Sequence, residues 1–225
     1  MLFFDLLTTY QQRKACKFGT STAYSMRSLI IRQGEQANGI HVIREGTIES
    51  VYYTESDREL CLATWGKHDF VGAPHIFGNA YQQWSARALT DVEVLHLNQN
   101  QLRGLINHFP DIAVSLIQSL GYKGERYSEL AQRLAFYSVS QRLAITLLET
   151  WEEAQRCQPG LYSLPVPSRL ELSRVIGSTR QAVGHAMRSL CSNGLLTIEQ
   201  GHFSLPHIER LKDIAGHRRY ETEHH

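Results

Sequence analysis

Between Ser25 and Leu97 the apolar residues come in short runs separated by polar turns. Ser28–Arg32 and His41–Arg44 are brief apolar runs. Thr47–Thr54 and Glu59–Trp65 are rich in β-branched and aromatic residues, and Val92–Leu97 closes the set. Gln33-Gly34-Glu35, Asn38-Gly39, Glu45-Gly46, Glu55-Ser56-Asp57 and Gly66-Lys67 supply the turns. Strands recurring about every 8–12 residues with polar turns between them predict a small all-β barrel or sandwich. The first 24 residues are weakly patterned and suggest only a short helix near Phe4–Gln12.

The period then changes. Pro110 opens a long helical pattern that runs to about Ala135. Ala113, Ile117, Leu120, Gly124, Tyr127, Ala131 and Leu134 follow one another at alternating spacings of 4 and 3. That heptad seam is what a parallel helix pair needs to bury one stripe along its length. The alternative is a helix packed only on its own barrel. Lys123, Glu125, Arg126, Glu129 and Gln132 flank the seam, and the small residues Gly124 and Ala131 would let two backbones approach. Gly121 and Gly124 cost roughly 1 kcal/mol each inside a helix, so close helix contact or a held ligand should offset them. The expected dimer interface is therefore Ile117, Leu120, Gly124, Tyr127, Ala131 and Leu134.

A third segment follows. Gln141–Ala154 is amphipathic and helical, Gln158-Pro159-Gly160 is a turn, and Leu161–Val166 reads as a short strand. Ser168-Arg169-Leu170-Glu171 is a capping box, so a helix should begin there and end near Val175. Ile176-Gly177 is a tight turn. Ser178-Thr179-Arg180-Gln181 has the form of a second capping box, which predicts a helix from Thr179 to about Asn193 with Gly194 as its stop. Two helices joined by a short turn containing Gly form a helix–turn–helix.

The second of these helices has a divided surface. Val183, Ala186, Met187 and Leu190 fall on one face and should enter the core. Arg180, Gly184 and Arg188 form the opposite stripe, with Gln181 and His185 beside it. From Ser168 to Arg188 there are four Arg and one Glu, a local +3. A recognition helix needs donors near its N-terminus aimed at base edges, a small residue where it presses into the groove, and cations for phosphates. The expected DNA-binding residues are Ser168, Ser178, Thr179, Arg180, Gln181, Gly184, His185 and Arg188. Leu195–Glu199 and His202–Leu205 flank Gln200-Gly201 and read as a two-stranded wing.

Composition narrows the class without adding a site. A length of 225 residues fits one or two domains, and 42% hydrophobic with 20% charged residues is globular. Twenty-three Lys plus Arg against 22 Asp plus Glu leave +1, so any polyanion surface must be local. No apolar run approaches the about 18 residues of a spanning helix, and the opening MLFFDLL lacks the basic start of a secretory signal. Cys16, Cys61, Cys157 and Cys191 are too dispersed for a disulfide framework or a C-x-x-C metal site, which leaves no expected metal. A cytoplasmic protein without a membrane partner is the expectation. No G-x-S-x-G, H-E-x-x-H or P-loop motif is present, so no enzyme is expected. His224 and His225 are given no role.

The chain resembles the catabolite activator protein (Crp/Fnr) family of bacterial transcription regulators. The likeness rests on Ile31-Arg32-Gln33-Gly34-Glu35, on Arg44-Glu45-Gly46 and on Asp69-Phe70-Val71-Gly72. It continues through Leu134-Ala135-Phe136 and Arg142–Leu148, and is most specific in Glu171–Gly184. The resemblance implies an α+β protein with an N-terminal cyclic-nucleotide-binding-like β-roll, a long dimerisation helix and a C-terminal winged helix-turn-helix. The corresponding domains are 1–109 for the effector-binding roll, 110–137 for the dimerisation helix and 138–225 for DNA binding. It implies a homodimer on a palindromic double-stranded DNA operator, an RNA polymerase partner and a small-molecule effector.

Departures from the family pattern shape the effector reading. Cyclic-AMP-binding members carry a Glu just after the Gly matching Gly72, where this chain has Ala73. They also carry an Arg-Ser for the cyclic phosphate shortly before the stretch matching Trp84 to Ala88. Here Tyr81-Gln82-Gln83-Trp84-Ser85-Ala86-Arg87 has no Arg at that place, and Arg87 aligns with a structural Arg. A cyclic phosphate buried without a cationic donor is poorly compensated, so no cyclic AMP response is expected. The two cysteines of the N-terminal half cannot build the iron–sulfur centre of the oxygen-sensing branch. The carbon-monoxide-sensing branch places a haem ligand near His75, which leaves a haem- or redox-based gas sensor as the alternative. The expected effector pocket is lined by Gly72, Ala73, His75, Trp84, Ser85, Lys123, Tyr127 and Ser128. Aromatic walls with one imidazole and one ammonium suit a small, flat, anionic organic ligand. In the opposing reading Trp84 and Tyr127 fill the space themselves. On the recognition helix the family's Arg-Glu and later Arg become Arg180, Gln181 and His185. Arg180 should still read a guanine, while Gln181 could pair with adenine or serve the capping box.

Overall fold

The computed structural model describes residues 2–56, 58–72, 76–77 and 80–216. The chain forms two compact units, residues 1–130 and 131–225. The first unit opens with a 3-10 turn at Phe3–Leu6 and helix α1, Thr9–Phe18. Eight strands follow: β1 (Thr20–Tyr24), β2 (Leu29–Ile31), β3 (Ile40–Glu45), β4 (Ile48–Tyr53), β5 (Glu59–Trp65), β6 (Phe70–Val71), β7 (Ser85–Ala88) and β8 (Val92–Leu97). Helix α2 (Gln99–His108) leads to the long helix α3 (Asp111–Phe136), which runs across the division between the units.

The strands form two antiparallel four-stranded sheets, in the orders β1-β8-β3-β6 and β2-β7-β4-β5. Strands β3 and β8 contribute to a core on each face. Ile40, Val42, Leu95 and Leu97 pack with Phe3, Phe4, Leu102, Leu105, Ile112 and Leu116 of the helical layer. Ile43, Val92 and Val94 pack with Ile48, Trp65, Ala86 and Ala88 in the second core. This double burial explains why His41–Arg44 and Val92–Leu97 read as mainly apolar runs rather than as strict alternation. Gly39 has φ +89°, and a Cβ there would lie 2.0 Å from Leu97 O. The chain can cross the end of β8 at that point only without a side chain.

The second unit contains α4 (Val139–Cys157), β9 (Leu164–Pro165), α5 (Arg169–Val175), α6 (Arg180–Ser192), β10 (Thr197–Glu199), β11 (His202–Ser204) and α7 (Ile208–Ala215). Leu143, Leu147, Leu172, Ile176, Val183, Ala186, Leu190, Phe203 and Leu211 meet in its core. Strands β10 and β11 form a hairpin, with β9 pairing to the outer side of β11. Gln200 and Gly201 both have positive φ, +48° and +78°, as the twist of a two-residue hairpin loop demands. This is the expected wing.

Five of the eight strands of the first unit match the sequence reading, while β1, β6, β7, α2 and the full extent of α1 were not expected. The seam along α3 needs correction. Its buried stripe is Ile112, Ser115, Leu116, Ser119 and Lys123. Leu120 and Tyr127, expected on the partner-facing seam, pack instead against the cores of their own unit. Ile117, Gly124, Ala131 and Leu134 are exposed in the single chain, together with Val114. The cause is that two stripes are interleaved. A 26-residue helix with one apolar stripe on a roll and a second facing outward gives a mixed pattern when read as a single seam. No helix among the described residues is long and apolar enough to cross a membrane.

Candidate nucleic-acid interface and effector site

Helix α5 starts as the sequence requires. Ser168 Oγ accepts from Glu171 N–H at 3.1 Å, and Glu171 Oε2 accepts from Ser168 N–H at 2.8 Å. Its end differs from expectation in one respect. Gly177 has φ +61°, and Ser178 N–H donates to Ser173 O at 2.9 Å. That bond closes a Schellman motif, so Ser178 completes α5 rather than capping α6. Thr179 is the cap, its Oγ1 accepting from Ala182 N–H at 3.1 Å. The capping box expected from Ser178 and Gln181 therefore does not form. Helix α6 ends at Gly194, φ +69°, where Leu195 N–H donates to Leu190 O at 3.0 Å.

This local geometry orients α6. Val183, Ala186, Met187 and Leu190 are buried, as their spacing requires. Arg180, Gln181, His185 and Arg188 are exposed, and none makes a hydrogen bond or ion pair among the described residues. Gly184 is not open to solvent as expected. The Arg169 guanidinium lies across it, with Nη1 3.5 Å from where a Cβ would stand. Arg169 thereby joins Arg180 and Arg188 on this surface. Its place at the start of α5 was visible in the sequence, but its approach to α6 was not. Arg142 braces the motif from below, donating to Tyr137 O at 2.8 Å and to Gly177 O at 3.4 Å.

In the first unit the residues expected to line an effector pocket are largely engaged with one another. Trp84 and Tyr127 have ring centroids 5.5 Å apart, and Trp65 meets Tyr127 edge-on at 5.9 Å. Trp65 Nε1–H donates to Ser50 Oγ at 2.8 Å. Burial pushes the Tyr127 phenol up to about 12. Ser85 is buried and accepts from Gln33 N–H at 2.9 Å, whereas Ser128 is exposed. Gly72 has φ +110° and brings its backbone against Gly39, where a Cβ would lie 2.7 Å from Gly39 O. Ala73 and His75 lie outside the described residues, as do His224 and His225.

The free ammonium expected at Lys123 is corrected by the structure. Lys123 Nζ stands 2.6 Å from Asp69 Oδ1 in a buried ion pair. The same Nζ faces the Trp65 ring at 3.4 Å and the Phe70 ring at 4.9 Å from their centroids. Burial pushes its pKa down to about 8, against the upward pull of Asp69. Arg87 is likewise engaged: Nε donates to Glu49 Oε1 at 2.7 Å, Nη2 to Glu59 Oε2 at 2.7 Å and Nη1 to Tyr53 Oη at 3.1 Å. Gln82, buried shortly before Trp84, points its amide at Gly72 O, 3.5 Å away. The stretch from Gly72 to Gln82 contains no Arg or Lys. Among the described residues, Lys123 and Arg87 thus both already carry carboxylate partners. Asp69, Glu49, Glu59 and Gln82 escaped the sequence reading. Their pairing partners lie far along the chain, and no short-range spacing marks them.

Comparison with known proteins agrees with this architecture. Residues 22–109 match the cyclic nucleotide-binding domain family, and residues 141–214 match the Crp-like helix-turn-helix domain family. The chain is 28% identical over 177 residues to the cAMP-activated global transcriptional regulator CRP of Salmonella typhimurium, covering 77% of this chain and 83% of that one. It is 26% identical over 180 residues to the CRP-like protein Clp of Xanthomonas oryzae pv. oryzae, covering 77% and 78%. Among solved structures, the c-di-GMP responsive global regulator CLP of Xanthomonas campestris superimposes with a TM-score of 0.76 at 23% identity, over 88% of this chain and 99% of that chain. FixK2 from Bradyrhizobium japonicum gives 0.67 at 19% identity, over 87% and 96%. At such identities the structural likeness speaks for the fold. The Salmonella typhimurium relative is named as a global regulator of transcription. With a cyclic nucleotide-binding-type domain followed by a DNA-binding helix–turn–helix, the chain belongs to the Crp/Fnr family of transcriptional regulators.

Proposed function

We propose that two copies of this chain pair through α3 and set their α6 helices into a palindromic operator, under the control of a small-molecule effector other than cyclic AMP. Residues 1–109 take the effector, 110–137 form the dimer contact and 138–225 bind DNA. The observation that carries the DNA reading is the set Arg180, Gln181, His185 and Arg188. Four exposed polar side chains share one surface, no internal partner engages them among the described residues, and α6 contains no Asp or Glu. Such a surface is complementary to a polyanion whose bases are read in the major groove. Thr179, Ser168 and Arg169 stand beside it as phosphate contacts, and Ser178 holds the turn.

Pairing is supported by the outward stripe of α3. Val114 is 54% and Ile117 69% exposed, and a Cβ on Gly121 or Gly124 would meet nothing within 4 Å. Bare glycines next to exposed aliphatics suit close approach by a second helix, which would offset their helix cost. The effector reading rests on Trp84 and Tyr127. A flat organic ligand would enter by displacing the half-exposed Trp84 from the Tyr127 ring and would thereby act on α3 directly. RNA polymerase is the expected further partner at a promoter.

Binding of the full chain to a randomised duplex pool tests the DNA reading. Recovery of a two-fold symmetric sequence, with a guanine in each half-site that loses its preference on Arg180→Ala, is the expected result. Equal weakening on every sequence would make Arg180 a phosphate contact only. Calorimetric titration with cyclic AMP tests the effector reading. No binding at micromolar concentrations is expected, and micromolar or tighter binding would overturn it.

A further inference from the structure

We infer that Gln181 is a specificity-determining residue that reads adenine at the base pair next to the guanine read by Arg180. The inference deepens the DNA-binding reading above and rests on it. Two roles compete for the Gln181 amide. As the fourth residue of a capping box its amide oxygen would accept from the Ser178 backbone N–H and be lost to DNA. The structure decides between them. Gly177 takes a positive φ and Ser178 N–H closes onto Ser173 O, so the chain leaves α5 one residue later than a cap at Ser178 would need. The cap falls on Thr179, whose Oγ1 takes Ala182 N–H. The third helical position is then Ala182, whose methyl group cannot reciprocate. Gln181 stands at the second position, exposed and without a hydrogen bond among the described residues.

The surroundings fix what such an amide can read. Arg180 precedes it, and His185 follows one turn later on the same exposed surface. A carboxamide offers one acceptor and one donor side by side. Adenine presents N6–H₂ and N7 in the major groove, the matching donor and acceptor. Guanine shows two acceptors there, O6 and N7, which would leave the Gln oxygen facing an acceptor. Cytosine N4–H₂ could satisfy the oxygen but would leave the amide N–H₂ without a partner. Arg180, a pure donor, suits the guanine that Gln181 rejects. Adjacent residues at the helix start therefore divide the readout between two neighbouring pairs.

Selection of the full-length chain from a palindromic library randomised in both half-sites, repeated with two variants, tests this. The unaltered chain should recover guanine and adenine at neighbouring pairs. Gln181→Ala should weaken binding to that site by about 5-fold to about 150-fold and flatten the adenine position alone. Gln181→Glu, an acceptor without a donor, should move the preference at that position to cytosine. Because Gln181 is exposed, both variants should melt with the parent chain. An adenine preference that survives Gln181→Ala overturns the inference, as does a position with no base preference beside an intact guanine. Failure to retain any duplex would overturn the DNA-binding reading itself, which separates the two failures.

Discussion

Replacing Lys123 with Met tests whether the buried ammonium belongs to Asp69 or is available to a ligand. Asp69 is 1% exposed and Lys123 4% exposed. In Lys123→Met the carboxylate keeps the Phe70 N–H at 2.7 Å but loses its counter-charge at 2.6 Å. Removing one member of a buried pair costs about 3–5 kcal/mol, since the remaining charge is left uncompensated. The cation over the Trp65 ring accounts for about 2 kcal/mol of that when desolvated. The Met thioether recovers part of it by resting on the same ring. The expected destabilisation is therefore about 3 kcal/mol. In the double variant Lys123→Met/Asp69→Asn both charges are gone, and the carboxamide oxygen introduced by the second substitution would still accept from Phe70 N–H. Its loss should be about 1 kcal/mol or less, because an apolar replacement of a whole buried pair is often neutral. Urea unfolding followed by the fluorescence of Trp65 and Trp84 measures all three chains. A single variant that loses less than about 1 kcal/mol, or a double variant as unstable as the single, would refute the pairing argument.

Three further outcomes are expected. Burial, with His96 stacked 4.4 Å away as a second contribution, pushes His41 down to about 3 from 6.5. Between those values the unfolded chain binds a proton that the folded chain refuses. The His41 contribution should then fall as pH drops from 6.5 toward 3, by up to about 5 kcal/mol, and urea midpoints measured from neutral to acid should show a slope that His41→Phe makes shallower. Gly39→Ala would set a Cβ 2.0 Å from Leu97 O at φ +89° and should cost about 3 kcal/mol or more, while Gly66→Ala, with nothing within 4 Å, should melt with the parent. Arg142→Gln removes donors from Tyr137 O and Gly177 O. It should weaken binding to every duplex alike, by about 1–3 kcal/mol in fluorescence anisotropy, without changing base preference.

The second unit was more legible in the sequence than the first for a physical reason. Its helices carry local stop and start chemistry: Ser168 with Glu171, Gly177 and Gly194 each act within a few residues of themselves. The local exception is Ser178, expected as a cap, where the Schellman bond to Ser173 takes priority. Helices α1 and α2 carry the same kind of signal. Thr8 with Gln11, and Asn98 with Gln101, form complete capping boxes. Strand β7, Ser-Ala-Arg-Ala, has neither alternation nor β-branched residues and is held by pairing with β4 and β2. Only tertiary context marks such a strand.

The effector region was legible in its residues but not in their relations. Tyr127 meets both Trp84 and Trp65, and Lys123 lies over the Trp65 ring. What the sequence could not reveal is that Asp69 lies under Lys123, or that Glu49 and Glu59 hold Arg87 from two strands. Charge complementarity of this kind is set by sheet register, which places Glu49 directly opposite Arg87 across β4 and β7. The consequence is chemical. Lys123 and Arg87 are each matched to a carboxylate within the roll, so neither stands as the isolated cation that its place in the sequence suggested.

The proposed mode of DNA binding requires paired chains presenting two α6 helices to one duplex. Native mass spectrometry of the full chain, mixed with the palindromic duplex recovered by selection, measures this directly. The expected species holds two 25.7-kDa chains on one duplex, and a duplex cut to one half-site should lose most of the binding. A single chain per duplex, with equal affinity for half and full sites, would contradict it.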